Sequence, residues 1–144
     1  MILIDANLLL YAYNPDAEEH EPARRWFESV LSGPAPVRFA WITILAFLRI
    51  ATSPRVFSQP LTPEEAVAAV ASWLEQPTTG LMDAGPQHWT ILASLLIEGQ
   101  AKGPLVMDAH LAALAIEHGA TLCTTDRDFT RFDDLRHVNP LAVR

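Results

Sequence analysis

Two short apolar runs, each leading straight into an aspartate, constrain this chain more than any other feature of it. Met1 to Ile4 is unbroken hydrocarbon closed by Asp5, and Ala120 to Thr124 leads within two residues to Asp126. Runs of four or five residues are too short for a packed helix. Their lack of polar alternation fits strands covered on both faces of a parallel sheet. Val37 to Ala40 is a third candidate, Leu81 to Asp83 a fourth, and a last strand is expected within His137 to Val143.

Helical segments lie between the runs. Ala6 to Tyr13 reads as a short helix, and Asp16 to Leu31 repeats apolar residues at helical spacing (Ala23, Trp26, Phe27, Val30, Leu31) with Glu18, Glu19 and Glu21 near its start, where acids complement the dipole. Ile42 to Ala51 is a third helix, ending before Ser53-Pro54. Leu61 to Gln76 carries Thr62-Pro63-Glu64-Glu65, a capping threonine three residues before a glutamate with proline at the first helical position, and Pro77 and Gly80 end it. His88 to Glu98 follows, then Asp108 to His118, almost uniformly apolar and stopped by Gly119. Strands alternating with helices predict an α/β fold around a mainly parallel sheet. With 144 residues, half of them hydrophobic, and no repeat or linker, one domain spanning 1–144 is expected.

Composition excludes some functions. A formal net charge of −7 argues against a surface that grips polyanions by general electrostatics, so any contact with nucleic acid needs a cation between them. Nine of the ten basic residues are arginine, the fork-shaped cation that suits phosphate, and the exception is Lys102. Cys123 is alone inside an apolar run, which rules out an internal disulfide and predicts a buried, reduced thiol. No stretch reaches the roughly 18 to 20 apolar residues of a membrane span, and MILIDANLLLYAYN puts an aspartate where a signal peptide carries positive charge. A cytoplasmic protein with no membrane contact is expected.

The chemistry rests on four aspartates. Asp5 and Asp126 each follow a strand, and parallel strands deliver their C-terminal ends to one sheet edge, where open α/β sheets bind ligands. Asp108 is expected to open its helix, and Asp128 follows Asp126 closely. Any one of them has a plain structural reading as a helix cap or turn former. Several at one edge repel one another, and a bound cation offsets that repulsion. Oxygen-only ligands select Mg²⁺ or Mn²⁺ over zinc. The five histidines are scattered without an HExxH pattern and read as structural or surface residues. No serine lies in a GxSxG context, and no glycine-rich phosphate loop is present. Arg49, Arg127 and Arg131 are the arginines placed to hold a phosphodiester, although for each a solvated surface role is the readier explanation, exposed charge being the default for arginine.

The segments IDANLLLYA, DAHLAALAIEHGA and LCTTDRDFTRF, with ITILAFLRIATSPRVF between the first two, resemble in that order the motifs of PIN-domain ribonucleases, and most closely the VapC toxins of VapBC toxin–antitoxin pairs. The resemblance runs the whole length. It implies a three-layer α/β/α sandwich and Mg²⁺- or Mn²⁺-dependent endonucleolytic cleavage of RNA. By position it makes Asp5, Asp108 and Asp126 the metal carboxylates and Asp128 an additional acidic residue at the catalytic rim. Asn7 becomes a supporting polar residue and Thr124 a supporting hydroxyl. It also implies a small VapB-type antitoxin that covers the acidic site, and a homodimer.

One departure stands out. Where many relatives carry a glutamate in the helix before the Phe-Leu-Arg segment, this chain has Ala46 in Leu45-Ala46-Phe47-Leu48-Arg49. The remaining four aspartates are expected to hold one metal ion, with a second site weak or completed by substrate. The alternative is a domain that binds RNA or its antitoxin with little catalysis. A phosphate-transferring receiver or haloacid-hydrolase domain fits less well, because Asp5-Ala6-Asn7 is not an acidic pair.

Overall fold

The computed structural model describes residues 1–142, and its centre is a five-stranded sheet. The elements run β1 (Ile2–Ile4), α1 (Ala6–Tyr13), α2 (His20–Ser32), β2 (Val37–Phe39), α3 (Trp41–Ala51), α4 (Pro63–Leu74), β3 (Thr79–Leu81), α5 (His88–Glu98), α6 (Leu105–His118), β4 (Thr121–Cys123), a short 3₁₀ helix (Arg127–Arg131) and β5 (His137–Val138). Strand order is β3-β2-β1-β4-β5 and every pairing is parallel. The expected three-layer α/β/α sandwich is what the chain forms.

Side-chain alternation along the strands sorts the core into two layers. Leu3 and Leu122 point to the face covered by α5, α6 and the 3₁₀ helix, where Leu95, Leu111, Leu114 and Phe129 pack. Ile4 and Cys123 point to the opposite face, where α1 to α4 contribute Leu8, Phe27, Phe47 and Trp73. Trp73 is the hub of that layer: it stacks on Phe39, meets Phe27 and Phe47 edge-on, and donates from Nε1 to the Tyr13 hydroxyl at 2.8 Å. Cys123 is buried, as expected, and burial pushes its thiol up to about 11, far from reactive thiolate.

Several boundaries differ from the sequence expectation, each for a local reason. Helix α2 starts at His20 instead of Asp16, because successive turns (Ala17 N to Asn14 O, His20 N to Ala17 O) use up the residues after Pro15. Only Glu21 lies in its first turn. Strand β3 occupies Thr79–Leu81 and not Leu81–Asp83, so Gly80 is inside a strand and not a helix stop. A Cβ on Gly80 would sit 3.4 Å from the Arg38 guanidinium, which lies across it on its way to the Thr78 carbonyl. Helix α4 keeps its capping box, with Thr62 and Glu65 each accepting from the other's backbone, but is shorter than expected. Strand β5 is only two residues long, since Asn139-Pro140 opens a turn in which the Asn139 side chain accepts from Leu141 N. Of the expected last strand, Val143 lies outside the described residues.

The change that matters for the site is in α6. Gly103, at φ +59, turns the chain, and Pro104 enters with helical angles, so the helix begins at Leu105. Asp108 is therefore inside the first turn and does not open the helix.

Candidate active site

Sheet order reverses at β1, which lies between β2 and β4, and the acidic residues gather at the C-terminal edge of that switch point. Asp5 caps α1 directly after β1: its backbone N donates to Cys123 O at 3.0 Å and its Oδ1 accepts from Ala6 N at 2.8 Å. Its other oxygen accepts from the Thr124 hydroxyl at 2.7 Å. Thr124, itself buried, accepts through the same Oγ1 from Asp126 N at 3.0 Å, and Asp126 Oδ1 then accepts from Asp128 N at 2.8 Å, which starts the 3₁₀ helix. A single chain of hydrogen bonds thus fixes Asp5, Thr124, Asp126 and Asp128 relative to one another across 119 residues of sequence.

Asp108 reaches this group from α6. Asp108, Asp126 and Asp128 each offer one carboxylate oxygen, and the three atoms lie within 4.8 Å of one another. Asp5 is outside that triplet yet close enough to be felt. Burial, then the charges of Asp126, Asp5 and Asp128, push the Asp108 carboxyl up to about 6, with Arg131 acting in the opposite direction. Burial also raises the Asp5 carboxyl, against the lowering effect of its bonds from Thr124 and Ala6. Three crowded, hard oxygen donors form a set that a divalent cation of the Mg²⁺ or Mn²⁺ type fits.

The other expected residues divide. Asn7 lies on α1 beside Asp5, half-buried. Arg127 lies on the 3₁₀ helix and lines a cavity that it shares with Thr124, Asp126 and Val138. Arg49 is on α3 in an apolar groove of about 770 Å³ with Leu45, Leu92, Val106 and Met107. Arg131 is not a free phosphate ligand. Its Nη1 donates to Gly99 O at 2.9 Å and its Nε to Asp128 O at 3.2 Å, tying the 3₁₀ helix to the end of α5.

Ala46 lines both that groove and a smaller cavity of about 140 Å³ between Asp5 and Asp108. Thr43, one turn earlier and buried, faces the smaller cavity too. The sequence gives no signal for Thr43, since a threonine in an apolar helix looks like packing. Nor are the histidines all scattered: His88 Nε2 and His110 Nδ1 are 2.9 Å apart. Among the described residues, however, no histidine belongs to a cluster able to hold a metal.

Comparison with known proteins identifies the family. The PIN domain family model matches residues 2–135, so the chain belongs to the PIN-domain family. It is 45% identical to Ribonuclease VapC37 of Mycobacterium tuberculosis, over 99% of each chain. Among solved structures, FitAB bound to a DNA fragment superposes with a TM-score of 0.71 at 21% identity, covering 100% of this chain and 98% of the other. A toxin–antitoxin complex from Klebsiella pneumoniae gives 0.65 at 20% identity, covering 97% and 98%. Among the described residues no helix is long and apolar enough to cross a membrane.

Proposed function

We propose that this protein is a divalent-metal-dependent endoribonuclease toxin, one PIN-like domain over residues 1–144, held in check by a VapB-type antitoxin. The observation that carries the reading is the convergence of Asp108, Asp126 and Asp128 oxygens within 4.8 Å at the sheet edge of a chain this close to a named ribonuclease. Asp5, Asp108, Asp126 and Asp128 form the catalytic group. The first three hold Mg²⁺ or Mn²⁺, and Asp128 adds a ligand atom where Ala46 withholds one. A cation bound there activates water and offsets charge on the scissile phosphate.

The chain's own residues prepare that site. Thr124 fixes the orientation of Asp5 and the backbone at Asp126, as outer-shell hydrogen bonds to ligating groups do. Asn7 supports the same rim. Arg127 and Arg49 meet the RNA backbone on either side of the acids, which a protein of net charge −7 cannot approach by its overall field. The antitoxin and a second copy of the chain are inferred from the toxin–antitoxin neighbour, and the apolar groove beside Ala46 has the chemistry to receive protein. A cytoplasmic site of action is in keeping with a chain whose one cysteine is a buried free thiol. The binding-only alternative loses force because the acidic cluster is intact despite Ala46.

Structured RNA incubated with purified protein tests the proposal. Cleavage is expected with Mn²⁺, none with chelator, and a loss on the order of 10³-fold in Asp108→Asn, since a catalytic cation supplies several kcal/mol. Cleavage that survives both chelator and the substitution would refute it.

A further inference from the structure

The acidic cluster has a second neighbour, on its β5 side: a cavity of about 400 Å³ lined by Thr125, Arg127, Thr130, His137 and Asn139. Its volume falls in the roughly 300–1,000 Å³ range of ligand pockets. Because Thr124 and Asp126 also form its wall, any occupant lies directly against the carboxylates. The lining is mixed: Val138 and Ala142 contribute hydrocarbon on which a base can lie, and the hydroxyl, amide, imidazole and guanidinium groups around them suit a sugar, a phosphate and a base edge.

Each of these groups has capacity to spare. The Arg127 guanidinium makes no hydrogen bond or ion pair among the described residues, although it lies between two aspartates in sequence. Arg131, by contrast, is committed to two carbonyls. Thr130 donates its hydroxyl proton to Arg127 O at 2.7 Å, which leaves its lone pairs to accept. Asn139 uses its side-chain oxygen on Leu141 N at 2.9 Å, which leaves its NH₂ to donate. A polyanion seated beside four aspartates needs a local cation, and Arg127 is the uncommitted one at this wall.

We propose that this cavity is the subsite for the ribonucleotide adjoining the scissile phosphate. Arg127 holds the neighbouring phosphate, Thr130 and Asn139 meet the ribose 2′-hydroxyl and base edge, and His137 offers a ring for the base. The inference rests on the nuclease reading. It goes beyond it by placing nucleotide preference in the β4–3₁₀–β5 wall and not in the apolar groove.

The test uses the full chain in two forms. In an Asp108→Asn background, a fluorescein-labelled randomised RNA oligonucleotide is titrated by anisotropy with and without Arg127→Ala or Arg127→Lys. In the active background, total RNA is cut in Mn²⁺ and the new ends are sequenced for wild type and for the His137→Ala, Asn139→Ala double variant. Affinity is expected to fall about tenfold in Arg127→Ala, as for loss of a charged hydrogen bond, and less in Arg127→Lys. The double variant is expected to flatten the nucleotide preference on one side of the cut and leave the other side unchanged. These side chains are exposed, and circular dichroism verifies that each variant is folded. If wild type cuts RNA while the variants keep both affinity and end profile, the subsite is refuted and the nuclease stands. If wild type leaves all RNA intact in Mn²⁺, both proposals fall.

Discussion

On its α3 side the acidic cluster opens onto hydrocarbon: Leu45 is 59% exposed and Met107 55%, with Ile42, Leu92 and Val106 between them. On its β5 side it opens onto a mixed wall of threonine hydroxyls, an asparagine, Val138 and an arginine that has no partner among the described residues. Two surfaces of different chemistry flank the carboxylates, one almost wholly hydrocarbon and one with polar groups set among apolar ones. On the proposed nuclease reading, a chain with net charge −7 cannot gather RNA by a broad positive field, so its grip comes from local cations, Arg127 at the β5 wall and Arg49 beside the groove. The apolar wall is chemically suited to a protein partner, and exposed contiguous apolar surface is the usual mark of such a contact. Ala46 matters because it stands at the junction: it removes a charge from the site and adds hydrocarbon to the groove.

Four substitutions or conditions sharpen this contrast, in falling order of effect. Thr124→Val removes the hydroxyl that links Asp5 to Asp126, and Mn²⁺ affinity measured by calorimetry is expected to drop about 10–100-fold. An unchanged affinity would mean that the hydrogen-bond chain does not organise the ligands. Ala46→Glu returns a carboxylate to the junction, and Mn²⁺ affinity should rise about tenfold. If affinity does not change, Ala46 does not border the ion.

The third concerns pH. The Asp108 carboxyl rises from 3.8 to about 6 on folding, so between these values the folded chain binds the proton more tightly than the unfolded chain. Stability in chelator should therefore fall as pH rises through that window, and the penalty is complete above it. Asp108→Asn removes the penalty, and urea unfolding near neutral pH is expected to show it roughly 1–2 kcal/mol more stable than wild type once solvent screening is allowed for. Equal stability at neutral pH would show that burial and the neighbouring acids do not hold a proton on Asp108. The smallest effect is expected on the apolar side: Leu45→Ser should leave RNA cleavage within about twofold, as surface changes away from a site do. A large loss there would break the division of labour between the two walls.

How much of this the sequence carries depends on range. Asp5 and Asp126 are legible because a carboxylate after a short apolar run can only end a strand, and parallel strands share an edge. The α/β class is legible for the same reason, although the order β3-β2-β1-β4-β5 is not, since it depends on which strands pair across separations from 15 residues (Leu122 with His137) to 119 (Ile2 with Thr121). Asp108 shows the limit of local rules: as an acid before an apolar stretch it looks like a helix start, yet Gly103 and Pro104 begin the helix earlier and place it where its carboxylate reaches the other two. Gly80 fails similarly: it looks like a helix stop, yet it pairs with Arg38 inside the sheet. The His88–His110 contact and the buried Thr43 leave no trace in spacing or composition. Contacts between distant segments decide these positions.

The central claim is that acidic side chains from opposite ends of the chain share one divalent ion, and titrating Mn²⁺ into wild type and Asp108→Asn by calorimetry near neutral pH tests it most directly. Wild type is expected to bind a single equivalent, and Asp108→Asn, still folded, to lose that binding. Mn²⁺ binding of equal affinity in the two proteins, or two tight sites in the free wild type, would contradict it.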